Sequence, residues 1–84
     1  MIQKGISPNG DTANNNFDLT GMGVQELKIY NRYGMEVYSK SNYINEWNGL
    51  DNKGNELPDG TYFYVIHKNN GEKMSSWIYI NRKL

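Results

Sequence analysis

Two pairs of alternating apolar and polar runs, each pair joined by a glycine-containing turn, constrain the fold of this chain more than any other feature of its sequence. The first pair is VQELKIYNR (residues 24–32) and MEVYSK (residues 35–40), joined at Tyr33-Gly34. A period of two is typical of half-buried β-strands, and glycine reaches positive φ without strain. The pair is therefore predicted to form a β-hairpin. The apolar residues on its predicted buried face are Leu27, Ile29, Met35 and Val37.

A second hairpin is predicted from TYFYVIHK (residues 61–68) and MSSWIYINR (residues 74–82). The tripeptide NNG between them is a strong turn signal. No run with a helical period is comparably clear, so a helical bundle is excluded. The last run divides between two faces, with Ile78 and Ile80 on one and Trp77 and Tyr79 on the other.

Shorter extended segments add to these four strands. In NFDLT (residues 16–20), Phe17 and Leu19 alternate inward, and residues 45–47 form a short extended piece before a turn-rich segment. About seven short strands with turns at close intervals are the pattern of an immunoglobulin-like antiparallel β-sandwich. We therefore predict an all-β sandwich in which the buried face of the first hairpin packs against the strands of the second.

Three aromatic residues have predicted structural roles in this sandwich. In LPDGTYFY, the turn at Gly60 followed by Tyr62 resembles the tyrosine corner of such folds, where the hydroxyl returns to a nearby backbone group. Tyr64 stands where an immunoglobulin domain has its second cysteine. Trp47, just before the turn at Asn48-Gly49, is predicted to plug one end of the sandwich.

The composition limits the classes of function. The 84 residues suffice for one domain with a modest core, and nine basic and nine acidic side chains give no net charge. Nucleic-acid binding is not expected, because it depends on neutralising phosphates. The chain has no cysteine, no stretch near the ~20 apolar residues of a membrane span, and no apolar run of a signal peptide in MIQKGIS. If the domain is exported, it is expected to be an excised piece of a larger protein.

The N-terminal stretch ISPNGDTANNNF raises the question of a calcium site, with Asn9 and Asp11 as candidate ligands. An EF-hand loop needs oxygen ligands at fixed positions, a glycine at the sixth and a glutamate at the twelfth. Counting from Asn9, most of these positions fail, and Asp11 is the only carboxylate among the candidates. A turn-rich, hydrogen-bonded segment is therefore the preferred interpretation, and no metal or other cofactor is predicted.

Taken in order, the motifs ISPNGD…F, LKIYNRYGMEVY, WNG, LPDGTYFYVI and SWIYINR resemble the gliding motility-associated C-terminal domain of Bacteroidota, also called the type B sorting domain of the type IX secretion system. The resemblance covers roughly residues 6–83. This chain departs from the family pattern SPNGDGxNDxF at Thr12, where glycine is usual, and at Asn15, where aspartate is usual. The pattern is kept at Ser7, Pro8, Asn9, Gly10, Asp11, Asn14 and Phe17.

The resemblance implies a single C-terminal sorting domain, residues 1–84, taken from a larger secreted protein such as a gliding adhesin. Such a domain directs its cargo through the periplasm and across the outer membrane to the cell surface or the medium. The implied partner is the type IX machinery, including a PorP/SprF-like outer-membrane β-barrel protein, bound by a monomer that does not itself insert into the membrane. An end soon after the last strand is what a C-terminal module is expected to have. Exposed aromatic and arginine side chains often carry binding energy, so the predicted anchors are Trp77, Tyr79 and Arg82.

Catalysis has no recognisable constellation in this sequence. His67 is the only histidine, and it lacks a Ser or Cys nucleophile motif to act with, so it is interpreted as a packing residue. The rival hypothesis is a carbohydrate-binding or adhesive module at the cell surface, because aromatic faces bind such ligands. A third is a structural cap similar to the immunoglobulin-like part of flagellar-hook scaffolding proteins.

Overall fold

The two alternating pairs form the centre of one mixed β-sheet in a computed structural model that describes residues 2–9 and 14–82. The sheet order is β1-β5-β4-β2-β3, in which β1 runs parallel to β5 and all other neighbours are antiparallel. Within the described ranges there are only strands and connecting segments, which confirms the all-β class. The strands are β1 (Gly5–Ile6), β2 (Val24–Tyr30), β3 (Glu36–Ser41), β4 (Gly60–Lys68) and β5 (Lys73–Ile80).

The same turn occurs at residues 31–35, 51–55 and 68–72. Its first and fifth residues are hydrogen-bonded to each other, and three residues form the loop between them. In each, the fourth residue is a glycine whose N–H donates to the carbonyl of the first at 3.0 Å. The N–H of the first residue donates to the carbonyl of the fifth at 2.8–2.9 Å. These glycines, Gly34, Gly54 and Gly71, have φ between +81° and +90°, a conformation that strains other residues. The two predicted hairpins, and the positive φ expected at Gly34, are therefore confirmed.

The inner face of the sheet carries the core. The register places the inward residues of β2, β4 and β5 side by side, because directly opposed residues of antiparallel strands share a face. Tyr62, Tyr64 and Ile66 of β4 alternate with exposed or half-buried neighbours, as the period of two requires. The buried apolar residues are Ile6, Phe17, Leu19, Val24, Leu27, Ile29, Tyr43, Trp47, Leu57, Tyr62, Tyr64, Ile66, Ile78 and Ile80.

Two connecting segments, residues 14–23 and 42–59, cover this inner face in place of a second sheet. They meet through two backbone hydrogen bonds, Phe17 N–H to the Trp47 carbonyl at 2.9 Å and Leu19 N–H to the Ile44 carbonyl at 2.8 Å. Phe17 and Leu19 are buried as predicted, but neither segment is a strand, since the ladder between them is too short.

The sandwich prediction is therefore correct in its class and wrong in its details. The described residues form five strands rather than about seven, and the faces of the two hairpins lie next to each other in one sheet instead of packing as opposed layers. The physical reason is that residues 16–20 and 45–47 share only isolated backbone hydrogen bonds, while neighbouring backbone donors bond to side chains, as Asp18 N–H does to Gln3 and Trp47 N–H to the Tyr43 hydroxyl. Among the described residues there is no helix long and apolar enough to cross a membrane.

Met35 is a second correction. The alternation predicted it on the buried face with Leu27 and Ile29, yet its side chain is 64% exposed. A register shift between Ile29 and Tyr30 places Tyr38 opposite Ile29 and leaves Met35 in the turn. Tyr38 takes the expected place of Met35 against the core.

Candidate recognition face

The outer face of the sheet carries a row of aromatic side chains. The register aligns Tyr30, Phe63 and Trp77 across β2, β4 and β5, and it places Tyr79 two residues further along β5, opposite Thr61. Phe63, Trp77 and Tyr79 are 46%, 41% and 44% exposed. Large aromatic side chains that stay exposed side by side form the kind of patch that protein partners contact. We call Phe63, Trp77 and Tyr79 the aromatic row.

Charged side chains border the aromatic row. The Lys4 ammonium lies 5.1 Å from the centre of the Trp77 ring, a cation–π contact. Lys28 and Glu36 form an exposed ion pair at 3.9 Å on the same face. Exposed pairs of this kind contribute little to stability, so these charges chiefly set the polarity of the surface.

Arg82, the third predicted anchor, lies away from the row and is mostly buried, with its side chain 19% exposed. Its guanidinium donates from Nη1 to the Leu57 carbonyl at 2.6 Å and from Nη2 to the Gly49 carbonyl at 3.1 Å. It also pairs with Asp59 at 2.8 Å. A β-carbon on Gly49 would lie 2.8 Å from Nη2, so the glycine leaves room for the arginine. The arrangement ties the end of β5 to the segment that covers the core.

Trp47 and Tyr43 anchor this covering segment. Trp47 is 1% exposed, and its indole N–H donates to the Leu50 carbonyl at 2.9 Å. The Tyr43 hydroxyl donates to the Phe17 carbonyl at 2.6 Å and accepts from the Trp47 backbone N–H at 2.8 Å. Burial raises the pKa of Tyr43 far above its usual range, so the hydroxyl stays protonated and keeps both contacts.

The β4 tyrosines have structural positions as well. The Tyr62 hydroxyl donates to the Pro58 carbonyl at 2.7 Å, the contact that the tyrosine-corner interpretation expects, and Gly60 between them has a φ of +146°. Tyr64 is buried with its ring centre 5.0 Å from that of Phe17. Burial raises the pKa of both tyrosine hydroxyls.

The N-terminal motif begins as a hydrogen-bonded turn. The Ser7 N–H donates to the Asn14 carbonyl at 2.6 Å, and the Asn9 N–H donates to the Ser7 carbonyl at 2.7 Å across Pro8. Gly10 and Asp11 lie outside the described residues, so the calcium hypothesis for Asn9 and Asp11 stays a prediction. The part of the chain that is described holds no group of three or more His, Cys, Asp or Glu side chains placed to bind a metal ion.

The two edges of the sheet differ in how they are covered. At the β3 edge, the Asn52 side chain accepts from the Ser39 N–H at 2.8 Å and donates to the Ser39 carbonyl at 3.0 Å. One amide group thus occupies the backbone donor and acceptor that a neighbouring strand would use. At the other edge, β1 pairs with only the last two residues of β5.

Sequence reasoning placed two of the three anchors correctly on one face and missed two residues. Trp77 and Tyr79 share the outer face as the alternation predicts, while Arg82 is separated from them. Phe63 was missed, although the alternation in residues 61–68 places its side chain on the opposite face of the strand from Tyr62. Asn52 was missed because no local pattern relates it to Ser39, thirteen residues away. His67 lies half-buried at the far end of β4, opposite Glu26 and Lys73.

A family model described as the CHU_C type IX secretion signal domain matches residues 1–80 of this chain. The match spans every strand of the sheet, including both the aromatic row and the covering segments. No curated protein and no solved structure matches the chain.

Proposed function

Because this chain belongs to the CHU_C type IX secretion signal domain family, we propose that the aromatic row is the surface by which the secretion machinery recognises it. As a domain of this family, the chain is a sorting signal that directs export across the outer membrane, to the cell surface or the medium. The observation that carries the proposal is the exposure of Phe63, Trp77 and Tyr79 on one face of the sheet. Aromatic anchors of this kind dominate the energy of many protein interfaces.

The cargo and the partner are further parts of the proposal. We propose that residues 1–84 form one monomeric domain of a larger secreted protein, such as a gliding adhesin of a member of the Bacteroidota. One sheet and one core cluster unite the described residues, which supports a single domain. The proposed receptor is a PorP/SprF-like outer-membrane β-barrel protein, as the family resemblance implies.

The experiment is export of a fluorescent reporter fused to this domain in a gliding bacterium with an intact type IX system. Trp77→Ala and Tyr79→Ala are expected to lower the amount of reporter outside the cell while the purified domains still melt cooperatively. Tyr33→Ala is the matched control, because Tyr33 is 73% exposed at a hairpin turn outside the row. Full export of both row variants would contradict the assignment of the surface, and failure of the unaltered domain would contradict the sorting role itself.

Arg82→Ala separates the sequence prediction from the structural role. If Arg82 serves mainly to hold the Leu57 and Gly49 carbonyls, the variant loses stability and export together. A folded variant of unchanged stability that is not exported would restore the prediction that Arg82 contacts the partner.

Carbohydrate binding is the second candidate, and the exposed aromatic row is the observation that favours it. Titration with soluble glycans, followed by tryptophan fluorescence, tests it directly because Trp77 is 41% exposed and Trp47 is 1% exposed. The sorting proposal expects no saturable change. A saturable change that Trp77→Ala removes would favour the carbohydrate-binding module.

A further inference from the structure

Among the residues that the structure describes, no strand lies beside most of β5 on the side away from β4. The parallel pairing with β1 consists of Gly5 with Tyr79 and Ile6 with Ile80. In residues 2–9 and 14–82, no strand pairs with the earlier part of β5 on that side. The pairing with β4, in contrast, is unbroken over eight residue pairs, so β5 has no bulge along this free edge.

The hydrogen-bonding pattern shows which groups point to the free edge. The Lys68 N–H donates to the Glu72 carbonyl at 2.8 Å, so these two residues form a hydrogen-bonded pair of the antiparallel ladder. Pairs alternate, so Lys73, Ser75 and Trp77 direct their backbone groups away from β4. The Tyr79 N–H, two residues further on, donates to the Lys4 carbonyl at 2.9 Å and confirms this direction.

The β3 edge has the protection that the β5 edge lacks. There the Asn52 amide occupies both backbone groups of Ser39. Natural sheets usually block their edges with such contacts, with prolines or with bulges, because an open edge pairs with other chains. The sequence MSSW at residues 74–77 has neither a proline nor a bulge. An edge left open beside a blocked one is suited to binding an extended segment.

We propose that residues 73–77 of β5 accept an extended segment of the secretion machinery as an added strand. This inference rests on the proposed function and specifies how the sorting signal is bound. Backbone hydrogen bonds would supply the affinity, and the side chains beside the edge would supply the selectivity. Lys73 and Lys4 flank the edge, and Trp77 exposes its ring next to it. The partner segment is therefore one with an acidic residue facing the lysines and an apolar residue against Trp77.

Proline substitution tests the edge without altering the β4 ladder. In the export assay, Ser75→Pro removes an N–H that points to the free edge, and Lys73→Pro does so at the first residue of the strand, where proline is tolerated. Each is expected to lower export of the reporter by about tenfold, the scale of one or two lost backbone hydrogen bonds and a steric block. Thermal melts identify the variants that remain folded, and Lys73→Pro is the one expected to keep wild-type stability.

Two matched controls define the result. Ser75→Ala keeps the N–H and should be exported normally. Ser39→Pro removes the equivalent N–H at the blocked β3 edge, where only the Asn52 contact is lost.

Normal export of folded Lys73→Pro or Ser75→Pro would overturn the proposal, as would an equal defect in Ser39→Pro. A dimer of the purified domain that Ser75→Pro abolishes would also overturn it, because the edge would then pair with a second copy. If the unaltered domain is not exported, the proposed function fails first and the inference falls with it.

Discussion

The inner and outer faces of the sheet are built from the same strands, and successive residues of β4 and β5 lie alternately in the core and at the surface. On β4, Tyr62 and Tyr64 are buried under the covering segments, whereas Phe63 between them is 46% exposed. On β5, Ile78 and Ile80 are fully buried, and Trp77 and Tyr79 are not. The covering segments, residues 14–23 and 42–59, account for the difference, because they bury only one face.

If the aromatic row is the recognition surface, as proposed above, stability and recognition occupy separate surfaces in this domain. The inner face and the segments that cover it hold the fourteen buried apolar residues found in the described part of the chain. The outer face holds the exposed aromatic side chains of Phe63, Trp77 and Tyr79. A substitution on one face is therefore expected to leave the property of the other nearly unchanged, and four measurements examine this separation.

The two tryptophans give the largest expected contrast. Trp47→Ala removes a 1% exposed side chain and the indole contact that anchors the covering segment, so we expect a loss of about 3–5 kcal/mol in the free energy of unfolding. Trp77→Ala removes a 41% exposed side chain and should cost about 1 kcal/mol or less. Urea unfolding followed by circular dichroism measures both. Similar losses in the two variants would break the distinction between the faces.

The two arginines give the next contrast. Arg82→Ala removes the contacts to the Leu57 and Gly49 carbonyls and the Asp59 ion pair, and we expect it to cost about 2–3 kcal/mol because hydrogen bonds to charged groups are among the stronger ones. Arg32→Ala is the control, since Arg32 is exposed and its guanidinium lies against the ring and hydroxyl of the exposed Tyr33. Its cost should be within about 0.5 kcal/mol of zero. A neutral Arg82→Ala would show that the covering segment does not need this tie.

Removing one hydroxyl from each face gives a smaller contrast. Tyr62→Phe leaves the Pro58 carbonyl without its 2.7 Å partner, and the expected loss is roughly 1–3 kcal/mol. Tyr79→Phe removes an exposed hydroxyl from the aromatic row and should change stability by less than about 0.5 kcal/mol. Thermal melts of the two variants measure this difference in stability. An unchanged melting temperature for Tyr62→Phe would remove the structural importance of the tyrosine-corner contact.

Calcium is expected to have the smallest effect. Millimolar calcium should hardly change the melting temperature, because Asp11 is the only carboxylate among the N-terminal candidates. A tight ligand at 100 times its dissociation constant would add about 2.7 kcal/mol, or several degrees for a domain of this size. A shift of that size that disappears in Asp11→Ala would establish a metal site in the N-terminal motif and add a third functional region to the two faces.

Local pattern was sufficient for the parts of the fold that depend on neighbouring residues. The period of two fixed which side of β5 carries Trp77, and the glycines fixed the hairpin turns, since both effects act within a few residues. The same reasoning failed for Met35, because a register shift between two strands is set by the pairing and not by either strand alone. It also failed for the second sheet, since burial of Phe17 and Leu19 does not require a strand.

The sequence by itself thus determined the all-β class, the two hairpins, the family and the outward position of Trp77 and Tyr79. Only the tertiary structure decided that Arg82 ties β5 to the covering segment, that Asn52 blocks the β3 edge and that β1 leaves most of β5 open. Each of these depends on groups far apart in the chain, and their meeting is governed by how the segments pack around the core. Alternation and turn residues specify which way a side chain points, but the partner it finds there depends on the whole fold.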